Sequence, residues 1–249
     1  MIFLIPANNI KPLNPKGELK MKIVSNKNNL QVLHEDNHLI VVNKRVGDIV
    51  QGDKTGDKPL SDVVKEYIKD KYNKPGEVFL GVVHRLDRPT TGIVVFARTS
   101  KALTRMNELF SNRETQKTYW CIVKNKPSKS EDKLVHFLKR NEKNNTSKAH
   151  LKEVPDSKIA SLDYKIIKEL NNYFALEINL HTGRHHQIRA QLSAIGSPIK
   201  GDLKYGFDRS NPDGGIHLHA RKLVFVHPVT KENIEIIAPT PDDVIWNAV

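Results

Sequence analysis

The sequence contains little cysteine, tryptophan or methionine, and it has no long apolar run. Its 249 residues include a single cysteine, Cys121, so no internal disulfide can form, and we expect a reducing compartment, the cytoplasm. No apolar run approaches the ~20 residues that a membrane span needs, so we expect no membrane partner. Residues 1–10 begin with apolar side chains but lack the basic start and long apolar centre of a signal peptide.

Acidic residues are also scarce relative to basic ones. Lys and Arg number 40 against 28 Asp and Glu, which gives a net charge of 40 − 28 = +12 and an isoelectric point of about 9.6. A surplus of this size favours a polyanionic partner, for which RNA is the natural candidate. A Lys-rich surface that serves solubility, or the amino-acid bias of an AT-rich genome, would give the same composition.

Charged residues gather in one stretch, residues 81–100, with the sequence GVVHRLDRPTTGIVVFARTS. The apolar runs at residues 78–83 and 93–97 predict two short buried strands, separated by a Pro-Thr-Thr-Gly turn. Asp87 lies between Arg85 and Arg88, whose charges are expected to keep its carboxylate ionised and fixed in place. Asp87 is therefore a candidate nucleophile or electrostatic anchor. A structural ion pair at a turn would have the same sequence.

The rest of the chain reads as short strands with few helices. We predict two strands within residues 31–43 and further strands at 118–123, 162–167, 173–180, 216–226 and 234–238; helices are predicted at 60–71, from a Thr99/Ser100 cap onward, and from Gly183 to about Ile195. In the last helix, His185 and Arg189 would lie one turn apart and face one site. This content predicts an α+β domain on a mixed, largely antiparallel sheet.

Residues 124–158 are rich in Lys, Asn and Ser around a short apolar piece at residues 134–138. This composition predicts mobile surface loops. They would form either a basic arm that touches phosphates or a solvated insertion, and the phosphate contact is the interpretation we favour.

Four motifs together resemble one family. The first is HRLDRPTTGIVVFA at residues 84–97, which is similar to the H-R-L-D signature of the RluA-type pseudouridine synthases. The others resemble that family's remaining motifs and follow in its order: KTYWCIV from Lys117, HTGRHHQIRAQLSAIGSPIKGD at residues 181–202, and LHARKLVFVHP from Leu218.

This resemblance implies an enzyme that isomerises uridines in structured RNA, either ribosomal or transfer RNA, on a mixed sheet with a central cleft. It implies no cofactor, nucleotide or metal. Asp87 would be the catalytic carboxylate, Arg189 its basic partner, and Tyr119 the residue that packs on the target base and takes part in proton removal from C5. Ile188 would contact the other side of the base, and Arg85 would fill the gap left by a flipped nucleotide. Further expected substrate contacts are His84, Arg88, Lys117, Arg184, His185 and Gln187.

For the domain organisation, we expect residues 1–20 to be a poorly ordered extension, or the result of an upstream start codon, and residues 21–249 to form the catalytic domain. The small S4 RNA-binding domain of many relatives is expected to be absent, since about thirty residues are too few for one. We expect a monomer.

Three other functions deserve comparison with this interpretation. A non-catalytic RNA-binding protein of the same fold is one, although it would be expected to have lost Asp87, Tyr119 or Arg189. A metal-dependent hydrolase could draw on the histidines, His217 and His219 among them, but lacks an accompanying H-E-x-x-H or paired-carboxylate motif. A Ser–His–Asp hydrolase has no G-x-S-x-G motif to support it.

Overall fold

The structure, a computed structural model, describes residues 23–249, so the expectation for residues 1–20 lies outside the described residues. Its elements, in chain order, are β1 Val32–Glu35, β2 Leu39–Lys44, α1 Leu60–Lys71, β3 Gly81–Val82, β4 Thr91–Ala97, α2 Ser100–Ser111, β5 Gln116–Val123, β6 Glu131–Asn141, β7 Thr146–His150, β8 Lys158–Glu169, β9 Phe174–Leu180, α3 Gln187–Ala194, β10 Leu218–Val226 and β11 Asn233–Ile237. A short 3-10 helix, Leu203–Tyr205, precedes β10.

The described strands form one sheet of eleven, in the order β1-β2-β4-β10-β5-β9-β8-β6-β7, with β11 paired to β10 and β3 to β4. Every pairing is antiparallel except that of β4 with β10. The predicted α+β class with a mixed, largely antiparallel sheet is confirmed. Across residues 23–249, no helix is both long and apolar enough to cross a bilayer.

The parallel contact between β4 and β10 joins the two halves of the sheet. Gly92 lies opposite Ala220 there and has a φ of 110°. A Cβ added at Gly92 would come 2.4 Å from the Ala220 carbonyl oxygen, so only glycine lets the two backbones approach this closely. This junction fixes where β4, and the turn before it, lies relative to β5.

The core is divided between the two faces of the sheet. Alternate residues of a strand point to opposite faces, so Ile40 and Phe96 pack against α1 while Val41 and Val95 pack against α2. Tyr119 of β5 packs against the cluster around α2 and against a second cluster that includes α3 residues. Its ring therefore lies between the two halves of the molecule.

Two sequence-based predictions are wrong. Residues 124–158 are not loops, because β6 and β7 form a hairpin over much of this stretch. Leu134, His136 and Leu138 alternate as buried residues along β6, and the polar histidine within that row hid the strand pattern. Helix α3 begins at Gln187 rather than near Gly183, so His185 lies before it.

Candidate active site

Asp87 lies in the tight turn between β3 and β4, and the backbone of this turn is held from within the protein. The Thr90 amide donates to the Asp87 carbonyl at 3.0 Å. The fully buried Lys44 ammonium donates to the carbonyls of Thr90 at 2.7 Å and Arg88 at 3.1 Å. Because hydrogen bonds from a charged donor are strong, this lysine fixes the turn that carries Asp87.

A buried chain of charges holds the Asp87 side chain. Arg189 Nη1 donates to Asp87 Oδ2 at 3.0 Å, while its Nε and Nη2 donate to the two oxygens of Asp202 at 2.7 and 2.8 Å. Arg189 and Asp202 are 5% and 1% exposed, whereas Asp87 is 32% exposed. Burial opposes the charge of Arg189, but the bonds to Asp202 and the charges of both carboxylates prevail and raise its pKa. Arg189 therefore anchors a carboxylate that solvent can reach.

The two arginines that flank Asp87 in the sequence do not form ion pairs with its carboxylate in the structure. Arg88 pairs with Asp57, and Arg85 is exposed at the surface. The expectation that both guanidinium groups flank the Asp87 carboxylate is therefore wrong. Its guanidinium partner is Arg189, 102 positions along the chain.

His186 faces Asp87 from a second direction. As the residue before α3 it has a left-handed backbone, with a φ of 53°, and its Nε2 lies 3.4 Å from Asp87 Oδ2. Its Nδ1 lies 2.9 Å from the hydroxyl of Tyr205. Burial lowers the pKa of His186 to about 3 against the opposing charge of Asp87. The ring is thus neutral at physiological pH.

Beside these groups is a small cavity of about 130 Å³. It is lined by Asp87, Tyr119, Ile188, Arg184, Gln187 and Arg189, among others, and by Arg85 at its edge. Ordinary ligand pockets measure roughly 300–1,000 Å³, so this one suits a single small planar group such as a nucleobase. Burial and the charge of Asp87 raise the pKa of Tyr119, so it remains a phenol at neutral pH.

A larger groove of about 710 Å³ opens next to the cavity and shares Asp87, Arg85, His186 and Arg189 with it. It is lined by residues 49–54 and by the end of the β6–β7 hairpin, and its basic residues include Lys54, Arg88, Arg140 and Lys204. A negatively charged chain could follow this basic groove to the cavity.

Comparison with known proteins identifies the family. A profile of the RNA pseudouridylate synthase family matches residues 38–194, more than half of the chain. The chain belongs to the RNA pseudouridylate synthase family. It is accordingly an isomerase that converts uridines in RNA to pseudouridine, the activity after which its homologues are named.

Several family members resemble it over most of their length. The ribosomal large subunit pseudouridine synthase D of Xylella fastidiosa is 32% identical over 228 residues, which cover 86% of this chain and 67% of the relative. An uncharacterised RNA pseudouridine synthase of Chlorobaculum parvum is 32% identical over 237 residues, covering 86% and 72%. The structure of human RNA pseudouridylate synthase domain containing 4 superposes with a TM-score of 0.71 at 25% identity, over 87% of this chain and 90% of the human one.

Two of the residues expected to bind substrate in this pseudouridine synthase lie away from the cavity. His84 accepts the Val95 amide N–H at 3.1 Å, and its ring stacks on Phe110. Burial, with the charge of Lys117, lowers the pKa of His84 to about 4. Lys117 lines a separate polar groove together with His181.

The other expected residues are close to the site but differ in what they contact. Gln187 accepts the Arg184 amide N–H at 3.0 Å and donates to the Ser161 carbonyl at 3.0 Å, so it braces the start of α3. The Arg184 side chain donates to the Ile159 carbonyl. His185 stacks on His186 at 3.8 Å and lines the groove rather than contacting Asp87.

Sequence reasoning did not select Asp202, His186 and Tyr205. The first two lie inside the second family-like motif, as the aspartate of SPIKGD and the second histidine of GRHHQ, and the tyrosine follows three residues later. The motif therefore contained two of these residues, but the sequence does not show the geometry that brings all three side chains near Asp87.

The histidines on which a metal-dependent hydrolase would draw are committed to other contacts. His219 lies 2.8 Å from the Thr91 hydroxyl, and His217 lies 2.9 Å from the Asn211 side chain. Over residues 23–249, no three His, Cys, Asp or Glu side chains are grouped so that they could hold a metal ion.

Proposed function

We propose that Asp87 is the catalytic carboxylate of this pseudouridine synthase. The observation that carries the proposal is its position: a partly exposed carboxylate, anchored by the buried Arg189–Asp202 pair, at the edge of a cavity the size of a base. A carboxylate that accepts a charge-assisted hydrogen bond from a buried guanidinium keeps its orientation, which a nucleophile or a stabiliser of a cationic sugar requires.

The reaction has a simple balance of bonds. The N1–C1′ bond of uridine breaks, a C5–C1′ bond forms, C5 loses its hydrogen as a proton, and N1 gains a proton. No electrons enter or leave, so the reaction consumes no oxidant or reductant, and we expect the enzyme to act without a cofactor. Asp87 can serve by attack on the ribose, by attack on the ring, or by stabilising the sugar cation.

Tyr119 and Ile188 support a target base between them in this proposal. Both line the cavity with Asp87, and an aromatic ring and an aliphatic side chain can sandwich a planar base. Since the pKa of Tyr119 is raised, its hydroxyl keeps its proton, and it would have to release that proton before it could remove one from C5. We therefore assign Tyr119 first to holding the base and only secondarily to proton transfer.

We propose that Arg85 acts when the nucleotide leaves the RNA stack. Its side chain is exposed, yet it lines both the cavity and the basic groove. An exposed guanidinium between the two can occupy the space that a flipped nucleotide vacates. Arg88, Arg140 and Lys204 would contact phosphates along the groove.

Ribosomal RNA of the large subunit is the substrate we favour, because relatives that are 31–32% identical over most of this chain bear the name ribosomal large subunit pseudouridine synthase D. We expect the enzyme to work as a monomer in the cytoplasm, where such RNA is assembled. The test is pseudouridine mapping of total RNA from cells with and without the gene, rescued with wild type, Asp87→Asn or Asp70→Asn. Asp70 is an exposed carboxylate on α1 and serves as the matched control.

A uridine position that loses modification on deletion, and regains it with wild type and Asp70→Asn but not with Asp87→Asn, would support both activity and site. Purified protein on RNA labelled with tritium at C5 gives an independent measure, since the reaction releases that hydrogen. Full tritium release by a folded Asp87→Asn protein would refute the role of Asp87. Binding of RNA without release by the wild type would instead favour the non-catalytic RNA-binding alternative.

A further inference from the structure

We propose that His186 is a positioning residue for Asp87: it presents an Nε2–H donor to Asp87 Oδ2, with the tautomer fixed by Tyr205, and so leaves Oδ1 to face the target nucleotide. This inference rests on the proposed catalytic role of Asp87. It adds a residue and an orientation that the proposed function does not contain.

The first support is the backbone at His186. A left-handed φ of 53° is uncommon for a residue other than glycine and costs free energy, yet His186 keeps it at the residue before α3. In this conformation the ring points back at the Asp87 turn, with its side chain only 6% exposed. A histidine that faced solvent would form no contact to offset the free-energy cost of this backbone conformation.

The second support is the hydrogen bonding of the Tyr205 hydroxyl. The backbone N–H of Ser147 donates to this oxygen at 2.7 Å, and His186 Nδ1 lies 2.9 Å from it. An oxygen that already accepts one bond is best satisfied by donating its own proton, and Nδ1 is the group within reach. Nδ1 is then the acceptor, and the ring proton of the neutral imidazole is on Nε2.

The third support is the charge that faces Nε2. Asp87 Oδ2 lies 3.4 Å away, and an Nε2 lone pair directed at a carboxylate would be repelled, whereas an N–H is attracted. The other charged or titratable groups that influence the ring are Arg189, His185 and Lys204, and these disfavour a second ring proton. Both sides of the imidazole therefore select the same neutral tautomer.

The consequence concerns which oxygen of Asp87 can react. Arg189 Nη1 and His186 Nε2 both approach Oδ2, while among the described residues no donor binds Oδ1. The 3.4 Å distance exceeds the ~2.7–3.2 Å of an ordinary N–H···O bond. Catalytic hydrogen bonds often shorten when substrate binds, so we expect this contact to close in the RNA complex.

The experiment compares two isosteric replacements. The amide nitrogen of His186→Gln reaches the place of Nε2 and can still donate to Asp87, whereas that of His186→Asn reaches only the place of Nδ1. We expect His186→Asn to lower the single-turnover rate of tritium release by about 10- to 100-fold, the usual loss for an orienting partner, with the RNA Kd changed less than about threefold. His186→Gln should recover to within about fivefold of wild type.

The tautomer is measured directly by long-range ¹H–¹⁵N correlation of the histidine rings, with the His186 signals assigned by their loss in His186→Gln. We expect a neutral ring protonated on Nε2 in wild type and a shift toward Nδ1–H in Tyr205→Phe. Circular dichroism and the thermal midpoint check folding, and His34→Gln, a histidine on β1 outside both the cavity and the groove, is the matched control.

A wild-type ring protonated on Nδ1 or on both nitrogens would overturn the inference, as would a folded His186→Asn protein with the wild-type rate. If Asp87→Asn were inactive while His186→Asn kept full activity, only the role of His186 would fail. If Asp87→Asn stayed active, the proposed function itself would fail.

Discussion

Replacing Asp202 with asparagine tests the buried charge chain that anchors the catalytic carboxylate. Asp202 is 1% exposed and accepts two bonds from Arg189, which is itself 5% exposed. Asparagine keeps one acceptor but loses the second bond and the charge. A charge-assisted hydrogen bond contributes about 1.5–3 kcal/mol, and breaking a buried ion pair costs about 3–5 kcal/mol, so we expect a loss of about 3 kcal/mol in the free energy of unfolding.

The assay is equilibrium unfolding in urea followed by circular dichroism, with single-turnover tritium release on the same protein. Asp208→Asn is the matched control, because Asp208 is 74% exposed and faces Lys124 at 3.6 Å; we expect its change to stay within about 0.5 kcal/mol. Asp202→Asn should also slow turnover at least about tenfold, since Arg189 is then free to leave Asp87 Oδ2. If Asp202→Asn changed stability as little as Asp208→Asn, with an unchanged denaturant slope, the chain would not be the anchor that we infer.

Three further outcomes are expected. Gly92→Ala should lower the free energy of unfolding, measured in urea, by at least about 1–3 kcal/mol, because a φ of 110° disfavours a side chain and the new Cβ would collide with Ala220. An unchanged free energy of unfolding would contradict the close approach of β4 and β10. Arg140→Ala should weaken RNA binding similarly for all sequences and reduce the slope of log K against log salt by up to about 1; an unchanged slope would remove Arg140 from the phosphate path. Acidification below pH 6.5 should destabilise the fold, because burial lowers the pKa of His186 to about 3 and those of His84 and His219 to about 4. The unfolded chain then binds protons that the folded chain does not, and each of the three rings lowers the free energy of unfolding by up to about 1.4 kcal/mol per pH unit. A free energy of unfolding in urea that stayed constant between pH 6.5 and 5 would contradict this.

Secondary structure was predictable wherever one apolar period ran unbroken. Helix α1, Leu60–Lys71, begins and ends at the residues that its apolar spacing indicates, and Thr99 caps α2 with its side chain, which accepts the Ala102 N–H. The β6–β7 hairpin was missed because two of its buried positions are occupied by the polar residues His136 and Ser147, so the alternation of apolar residues typical of a strand is interrupted. In the folded protein Gln191 of α3 lies 3.0 Å from His136, a partner that its neighbours in sequence do not reveal.

The candidate site was predictable as a set of residues but not as an arrangement. The motifs selected Asp87, Tyr119, Ile188 and Arg189, and the fold brings all four to one cavity. Proximity in sequence suggested the wrong guanidinium partners, because a turn directs successive side chains to different sides. The backbone reversal at His186, which decides that this histidine faces Asp87 and His185 does not, depends on how α3 packs against the hairpin.

One arginine, Arg189, is buried and orients Asp87, whereas Arg85 is exposed and does not pair with it, and this division has a physical reason. Asp87, Arg189 and Asp202 together carry one net negative charge, in a protein of net charge +12. RNA brings further negative charge toward this site, and the exposed basic side chains of the groove can offset that repulsion only while they remain free of the catalytic carboxylate. If Arg85 were paired to Asp87, one group would have to bind phosphate and orient the carboxylate at once. A buried arginine that is itself fixed by Asp202 orients Asp87 without being exposed to competing phosphates, and this leaves Arg85 to the RNA.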